Sequence, residues 1–235
     1  MEGKELYEHA LSMLESANLG INSVTSKHHE LRGTLKLTLP TALIRSKITK
    51  QIAQFGKQNP LLDLDLIFTD DRKNLIENGI DIALRAGEME DCNLVATRIG
   101  EIERKLVCSY AFFLSLTDPI SPLDLENCNW IKLEMLPFRR TLVNADGVKV
   151  EVNFKSNISV NSVEAMAEFC IHGLGVATPP NYLVERELKN KTLIELLPEW
   201  RVEPIPLYAV WPNNVFRSRN AKRLLDFLKA SVQAV

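Results

Sequence analysis

A chain of 235 residues is long enough for one large domain or two small ones, and 46% hydrophobic with 25% charged residues is the balance of a globular protein with a buried core. Its 28 basic and 30 acidic residues leave a net charge of −2, which excludes a strong electrostatic footprint for nucleic acid, and no apolar run reaches the length of a membrane span. The four cysteines, Cys92, Cys108, Cys128 and Cys170, form no C-x-x-C pair, so they give no support for structural zinc and read as reduced core thiols of a cytoplasmic protein.

The opening "MEGKELYEHALSMLESANLGINSV" carries internal glutamates and is no signal peptide. Tyr7, Ala10, Leu14, Ala17, Ile21 and Val24 step by three and four, the seam of a coiled coil. They predict a helix from about Lys4 to Ser26, weakened by Gly20. "SKHHELRG" is a polar connector, and its adjacent His28 and His29 cannot face each other to hold a metal.

After Gly33 the period changes. Leu35, Leu37 and Leu39 alternate in a strand stopped by Pro40. Thr41 is placed to cap a helix carrying Ile44, Ile48, Ile52 and Phe55, ending near Lys57. "LLDLDLIFTD" is a second strand, "RKNLIENG" a short helix stopped by Gly79, and "IDIALRAG" a third strand. Strand, helix, strand, helix, strand is the pattern of a parallel sheet with helical crossovers.

"ERKLVCSY" and "NWIKLEM" read as strands, and "RTLVNADGVKVEVNF" as a hairpin turning at Asn144 to Gly147. "NISV" is a short strand. Asn161 or Ser162 caps a helix through Val163, Met166, Phe169 and Cys170, which Gly173 ends. "GVATPP" is a strand, "YLVERELKN" a helix, "TLIELLP" a strand or an extended edge, "PIPLYAVWP" a last strand and "RNAKRLLDFLKA" a closing helix. Two α/β units result, roughly 33–107 and 108–206, with the chain returning to the first at Leu207. Two such crossings make a hinge, and the cleft between the units is where a small molecule would bind.

No motif carries catalysis. "GLGVAT" follows a helix and enters a strand, the reverse of a dinucleotide loop. G-x-S-x-G and H-E-x-x-H are absent. His172 sits at a helix C-terminus, Glu101 and Glu103 read as a wet face, and Arg217, Arg219, Lys222 and Arg223 form a solvated helix face above Leu224, Leu225, Phe227 and Leu228.

Four blocks in order, "LRGTLKLTLP", "GIDIALRAGEMEDCNLVATRIG", "SVEAMAEFCIHGLGVATPPNYLV" and "LIELLPEWRVEPIPLYAVWP", resemble the effector-binding region of LysR-type transcriptional regulators. The resemblance covers nearly the whole chain. It implies an α/β fold of two Rossmann-like lobes with a hinge, similar to periplasmic solute-binding proteins, preceded by a long linker helix. The linker would span 1–30, lobe I 31–107 plus 207–235, and lobe II 108–206. Gly3 and Leu6 look like the family's junction between a winged helix-turn-helix head and that linker. The head itself is expected to be absent from this chain, so DNA would be bound only through it.

The resemblance places ligand contacts at three points: the loop Pro40-Thr41-Ala42, the turn from Arg85 to Gly87, and the helix start Asn161-Ser162. Free N–H groups and a hydroxyl at a helix start suit an anion. Plain N-capping by Thr41, Asn161 and Ser162, and pairing of Arg85 with Glu88 or Glu90, are the structural alternatives. The implied protein is not an enzyme and needs no cofactor or metal. It is a cytoplasmic sensor of a small anionic effector, a homodimer or homotetramer, with the helix around Ile48 to Phe55 meeting a partner's helix around Val163 to Phe169. A transport-type solute-binding protein of the same fold is the alternative function, and an enzyme the third.

Overall fold

The computed structural model of the protein describes residues 30–71, 73–88, 94–116, 121–212 and 218–232, together with Gly3, Leu6, Tyr7, His9, Ala10, Met13 and Ala17, which are helical. The remainder of the helix expected over Lys4 to Ser26, and its seam beyond Ala17, lies outside the described residues.

The first lobe is built on a five-stranded sheet. β1 (Gly33–Leu39) is an interior strand, and its Leu35, Leu37 and Leu39 are wholly buried. β2 (Leu62–Phe68) and β3 (Ile82–Ala86) flank it in parallel, with Leu35 beside Leu64 and Leu37 beside both Leu66 and Ile82. β12 (Ile205–Pro212) then joins antiparallel to β3 and to β4 (Leu94–Ile102), giving the order β2-β1-β3-β12-β4. The helix α1 (Lys47–Gln58) connects β1 to β2 and covers one face with Ile48, Ile52 and Phe55. The last helix, α5 (Arg219–Val232), packs beside it, and Phe227 tilts against Phe55 at 5.5 Å between ring centres.

Two local expectations differ from the structure. Thr41 does not cap α1. Residues Thr41–Leu43 form a single 3-10 turn, and Ser46 is the cap, accepting from the Thr49 N–H at 3.4 Å. "RKNLIENG" is no helix where it is described. The Asn74 side chain accepts from the N–H groups of Ile76 and Glu77 as a cap does, but a single turn follows before Gly79, whose φ is positive, redirects the chain. The sequence pattern predicts no strand over Leu94–Ile102, where β4 forms.

The second lobe is made of shorter pieces. β5 (Val107–Ser109) pairs with β10 (Leu193–Glu195). β7 (Arg139–Asn144) lies between β8 (Lys149–Asn153) and β11 (Trp200–Val202), and the expected hairpin at Asn144 to Gly147 joins β7 to β8. β6 (Ile131–Leu133) runs parallel to β9 (Ile158–Val160). "GVATPP" is not a continuous strand but touches its neighbours through isolated bridges at Val176, Ala177 and Pro180.

Among the described residues, three α-helices and a 3-10 helix (Pro122–Asn127) complete this lobe: α2 (Tyr110–Phe113), α3 (Val163–Ile171) and α4 (Asn181–Lys189). Ser162 caps α3 as expected, accepting from the Ala165 N–H at 3.3 Å. Successive residues of β5 face opposite ways. Val107 joins a core with Ile131, Met166, Cys170 and Val184, while Cys108 joins another with Trp130, Leu142 and Phe154. The chain therefore leaves the first sheet after Ile102 and re-enters it at Ile205.

Candidate functional site

The parallel strands β1, β2 and β3 end on one edge of the first sheet, at Leu39, Phe68 and Ala86. Loops leaving the carboxyl ends of parallel strands are where such sheets hold small molecules. A cleft of about 100 Å³ lies at this edge. Thr38 and Pro40 line it from β1, Thr69, Asp70 and Asp71 from the loop after β2, and Arg85, Ala86 and Glu88 from β3 and the turn beyond. Lys73 and Leu75 form another wall, and Met135 reaches in from the second lobe. Both signs of charge are present. Lys73 and Arg85 stand with Asp70, Asp71 and Glu88, so the wall can hold a small polar solute by ion pairs and hydrogen bonds. Among the described residues no group of His, Cys, Asp and Glu could hold a metal ion.

The expected contacts divide between this cleft and its surroundings. Arg85 lines the cleft, and Gly87 follows it with a positive φ of 94° and an N–H bonded to the Pro206 carbonyl at 2.9 Å. Thr41 stands beside the lining residue Pro40, but its polar groups are engaged. Its N–H donates to Asp70 Oδ1 at 3.0 Å and its hydroxyl to Asp70 Oδ2. Ala42 packs on the second-lobe core, and its carbonyl accepts from the Tyr182 hydroxyl. That contact sits in low-dielectric surroundings, where burial pushes the Tyr182 phenol above its ordinary value and the Glu164 carboxylate adds to the push.

Asn161 and Ser162 are not on the cleft wall. Ser162 is occupied as the cap of α3 and donates to Glu164 Oε2 at 3.0 Å. Asp70, Asp71, Lys73 and Met135 were not singled out by the sequence. The signal available for the two aspartates was their place in "TDD", just past the end of a parallel strand. Glu101 and Glu103 are structural: Glu101 pairs with Arg98 at 2.7 Å, and Glu103 accepts from the Asn181 amide at 3.0 Å.

Residues 28–233 match the family model described as the LysR substrate binding domain. The chain belongs to this LysR family. Its relatives include the HTH-type transcriptional regulator PtxR of Pseudomonas aeruginosa, 25% identical over 97% of this chain and 73% of that one. An HTH-type transcriptional regulator of Haemophilus influenzae is 27% identical over 90% of this chain and 74% of that one. The regulatory domain of CrgA, a LysR-type regulator from Neisseria meningitidis, superposes with a TM-score of 0.71 at 23% identity, covering 86% of this chain and all of that one. Full-length AphB of Vibrio cholerae gives 0.71 at 19% identity over 98% of this chain and 79% of that one.

The LysR fold assigns the two lobes described above to a periplasmic-binding-protein-like architecture. Members of the LysR family are transcriptional regulators with an effector-binding domain, not enzymes. Among the described residues no helix is long and apolar enough to cross a membrane.

Proposed function

We propose that the chain is the sensing part of a cytoplasmic LysR-type regulator, and that a small organic effector bearing an anionic group binds in the cleft between the lobes. Lobe I then comprises 31–107 with 207–235, lobe II comprises 108–206, and 1–30 is the linker. Arg85 meets the anionic group. Thr41, Ala42 and Gly87 shape the first-lobe side, and Asn161 and Ser162 come into contact as the second lobe closes. Because Asp70 holds the Thr41 N–H and hydroxyl, a carboxylate at Thr41 has to displace Asp70.

The observation that supports this reading is the convergence of three parallel strand ends on a charged cleft with Met135 opposite. Closure of the lobes changes the geometry of a homodimer or homotetramer, and that geometry reaches DNA through the family's winged helix-turn-helix head. Isothermal titration with a panel of small carboxylates should find a binder. Arg85→Gln should weaken it by about 1.5–3 kcal/mol, the worth of a hydrogen bond to a charged group. Unchanged affinity in Arg85→Gln removes Arg85 from the site, and a panel of uncharged metabolites that alone binds overturns the anionic assignment.

A further inference from the structure

The cleft carries, at its floor, a hydroxyl that the fold does not use. Leu35, Leu37 and Leu39 of β1 pack with α1 and α5, so Thr38 between them points to the opposite face of the sheet. Thr38 is the register partner of Ala83 on β3, which belongs to the small core formed with Leu75, Ile80 and Val210. Thr38, Leu75 and Ala83 all line the cleft and are only 7%, 4% and 2% exposed, so they are its floor. Asp70, Asp71 and Glu88 line it too but are exposed, so they are its rim. Among the described residues Thr38 Oγ1 has no hydrogen-bond partner, and it is not sealed from solvent, so it opens onto the cleft. Buried hydroxyls are normally paired, and one left unpaired on a cavity wall invites a ligand atom.

The position of this hydroxyl relative to Arg85 follows from the sheet. Ala83 and Arg85 face the same way on β3, two residues or about 6.6 Å apart along the strand. Thr38 is level with Ala83, so the cleft offers a cation nearer its edge and one neutral hydroxyl a step deeper. A hydroxyl both donates and accepts, and so can hold an alcohol or a carbonyl oxygen. An ammonium at that depth would be desolvated beside Leu75 and Ala83, with the carboxylates out at the rim.

We propose that Thr38 is a specificity-determining residue of the cleft, and that the effector is a small carboxylic acid bearing a second oxygen, as a hydroxyl or a carbonyl. That oxygen reaches the Thr38 hydroxyl while the carboxylate stays at Arg85. This rests on the anionic-effector reading above and adds to it the neutral group that the ligand carries. Met135, 59% exposed and reaching in from the second lobe, covers the carbon chain between the two groups as the lobes close. An acid without the second oxygen leaves Thr38 unpaired in a closed cleft and is discriminated against for that reason.

The probes are butanoate, pentanoate and hexanoate, each against its hydroxy- and oxo-substituted forms, in isothermal titration of the whole chain. At least one substituted acid should bind about ten-fold more tightly than its unsubstituted parent, the effect of one buried hydrogen bond. Thr38→Val keeps the shape and removes the hydroxyl, and should bring that pair to within about two-fold of one another. Thr38→Ser should keep the preference. Parents that bind as tightly as every substituted form, or a preference that survives in Thr38→Val, overturn the assignment. Either result leaves the carboxylate reading standing, with Arg85→Gln still weakening every acid. If no acid of the panel binds, both readings fall. If Thr38→Val does not fold by circular dichroism, a crystal of the unaltered chain with the tightest substituted acid decides. A second oxygen within hydrogen-bond reach of Thr38 Oγ1 supports the assignment, and one turned elsewhere overturns it.

Discussion

Thr41 uses both its N–H and its hydroxyl on a single carboxylate, Asp70, and so ties the loop after β1 to the loop after β2. Thr41→Val keeps the shape and removes the hydroxyl bond. Urea denaturation should show a loss of about 1 kcal/mol, since the N–H bond remains. A single close approach governs Gly175. A Cβ there would stand 2.4 Å from the Asn129 carbonyl oxygen, and the Val176 N–H bonds to that same oxygen at 2.7 Å. Gly175→Ala must push that strand connection apart and should cost roughly 1–3 kcal/mol, the usual penalty of overpacking, read from the same denaturation curves.

The buried thiols of Cys108 and Cys170 are pushed up to about 12, chiefly by burial. Reactivity follows the thiolate. Neither should be alkylated by iodoacetamide at pH 8 in the folded chain, and both should be labelled after denaturation. Mass spectrometry of the peptides checks this, and rapid native labelling of Cys170 would contradict the packing described.

At the scale of elements, α1 spends Ile48, Ile52 and Phe55 on its own lobe, so the face it offers a partner is built from its other residues. Ile44 before α1 and Phe169 on α3 remain exposed, at 47% and 41%. If these faces pair in a homodimer as proposed, Phe169→Glu should weaken self-association about ten-fold or more, as removal of a central aromatic commonly does. Sedimentation equilibrium measures it, and an unchanged dimer moves the interface elsewhere.

How much of this was readable without coordinates depended on how one-sided each segment's burial is. β1 announces itself because one face carries three leucines and the core takes all of them. β4 did not, since "LVATRIGEI" lies at the sheet edge, mixes Thr97, Arg98 and Gly100 among its apolar residues, and buries only Ile99 and Ile102. The apparent helix after β2 is cut to a single turn between Asn74 and Gly79, whose φ is 59°. The cap of α1 was misplaced because Thr41 and Ser46 are both capping types and only the fold engages Thr41 with Asp70. In the cleft, Arg85 was reachable from the end of a recognisable strand. Asp70, Asp71 and Met135 have no periodicity of their own, and become neighbours only through the strand order and the second lobe.

For the whole molecule, the bond from the Tyr182 hydroxyl to the Ala42 carbonyl joins α4 of one lobe to the first turn of the other. Tyr182→Phe removes it while keeping the ring against both cores. A loss of about 1 kcal/mol corresponds to a drop in melting temperature of about 2–4 °C for a chain of this size, visible by calorimetry.

β12 sits between β3 and β4 in the first sheet, yet it is made only after the entire second lobe. During synthesis β3 and β4 therefore wait with their adjoining edges bare, and such edges invite strands from other chains. The second lobe, whose strands all lie between the two crossings, has its full set before β12 leaves the ribosome. A stalled or clipped chain ending near Glu203 should thus contain a protease-resistant second lobe joined to an open, aggregation-prone first one.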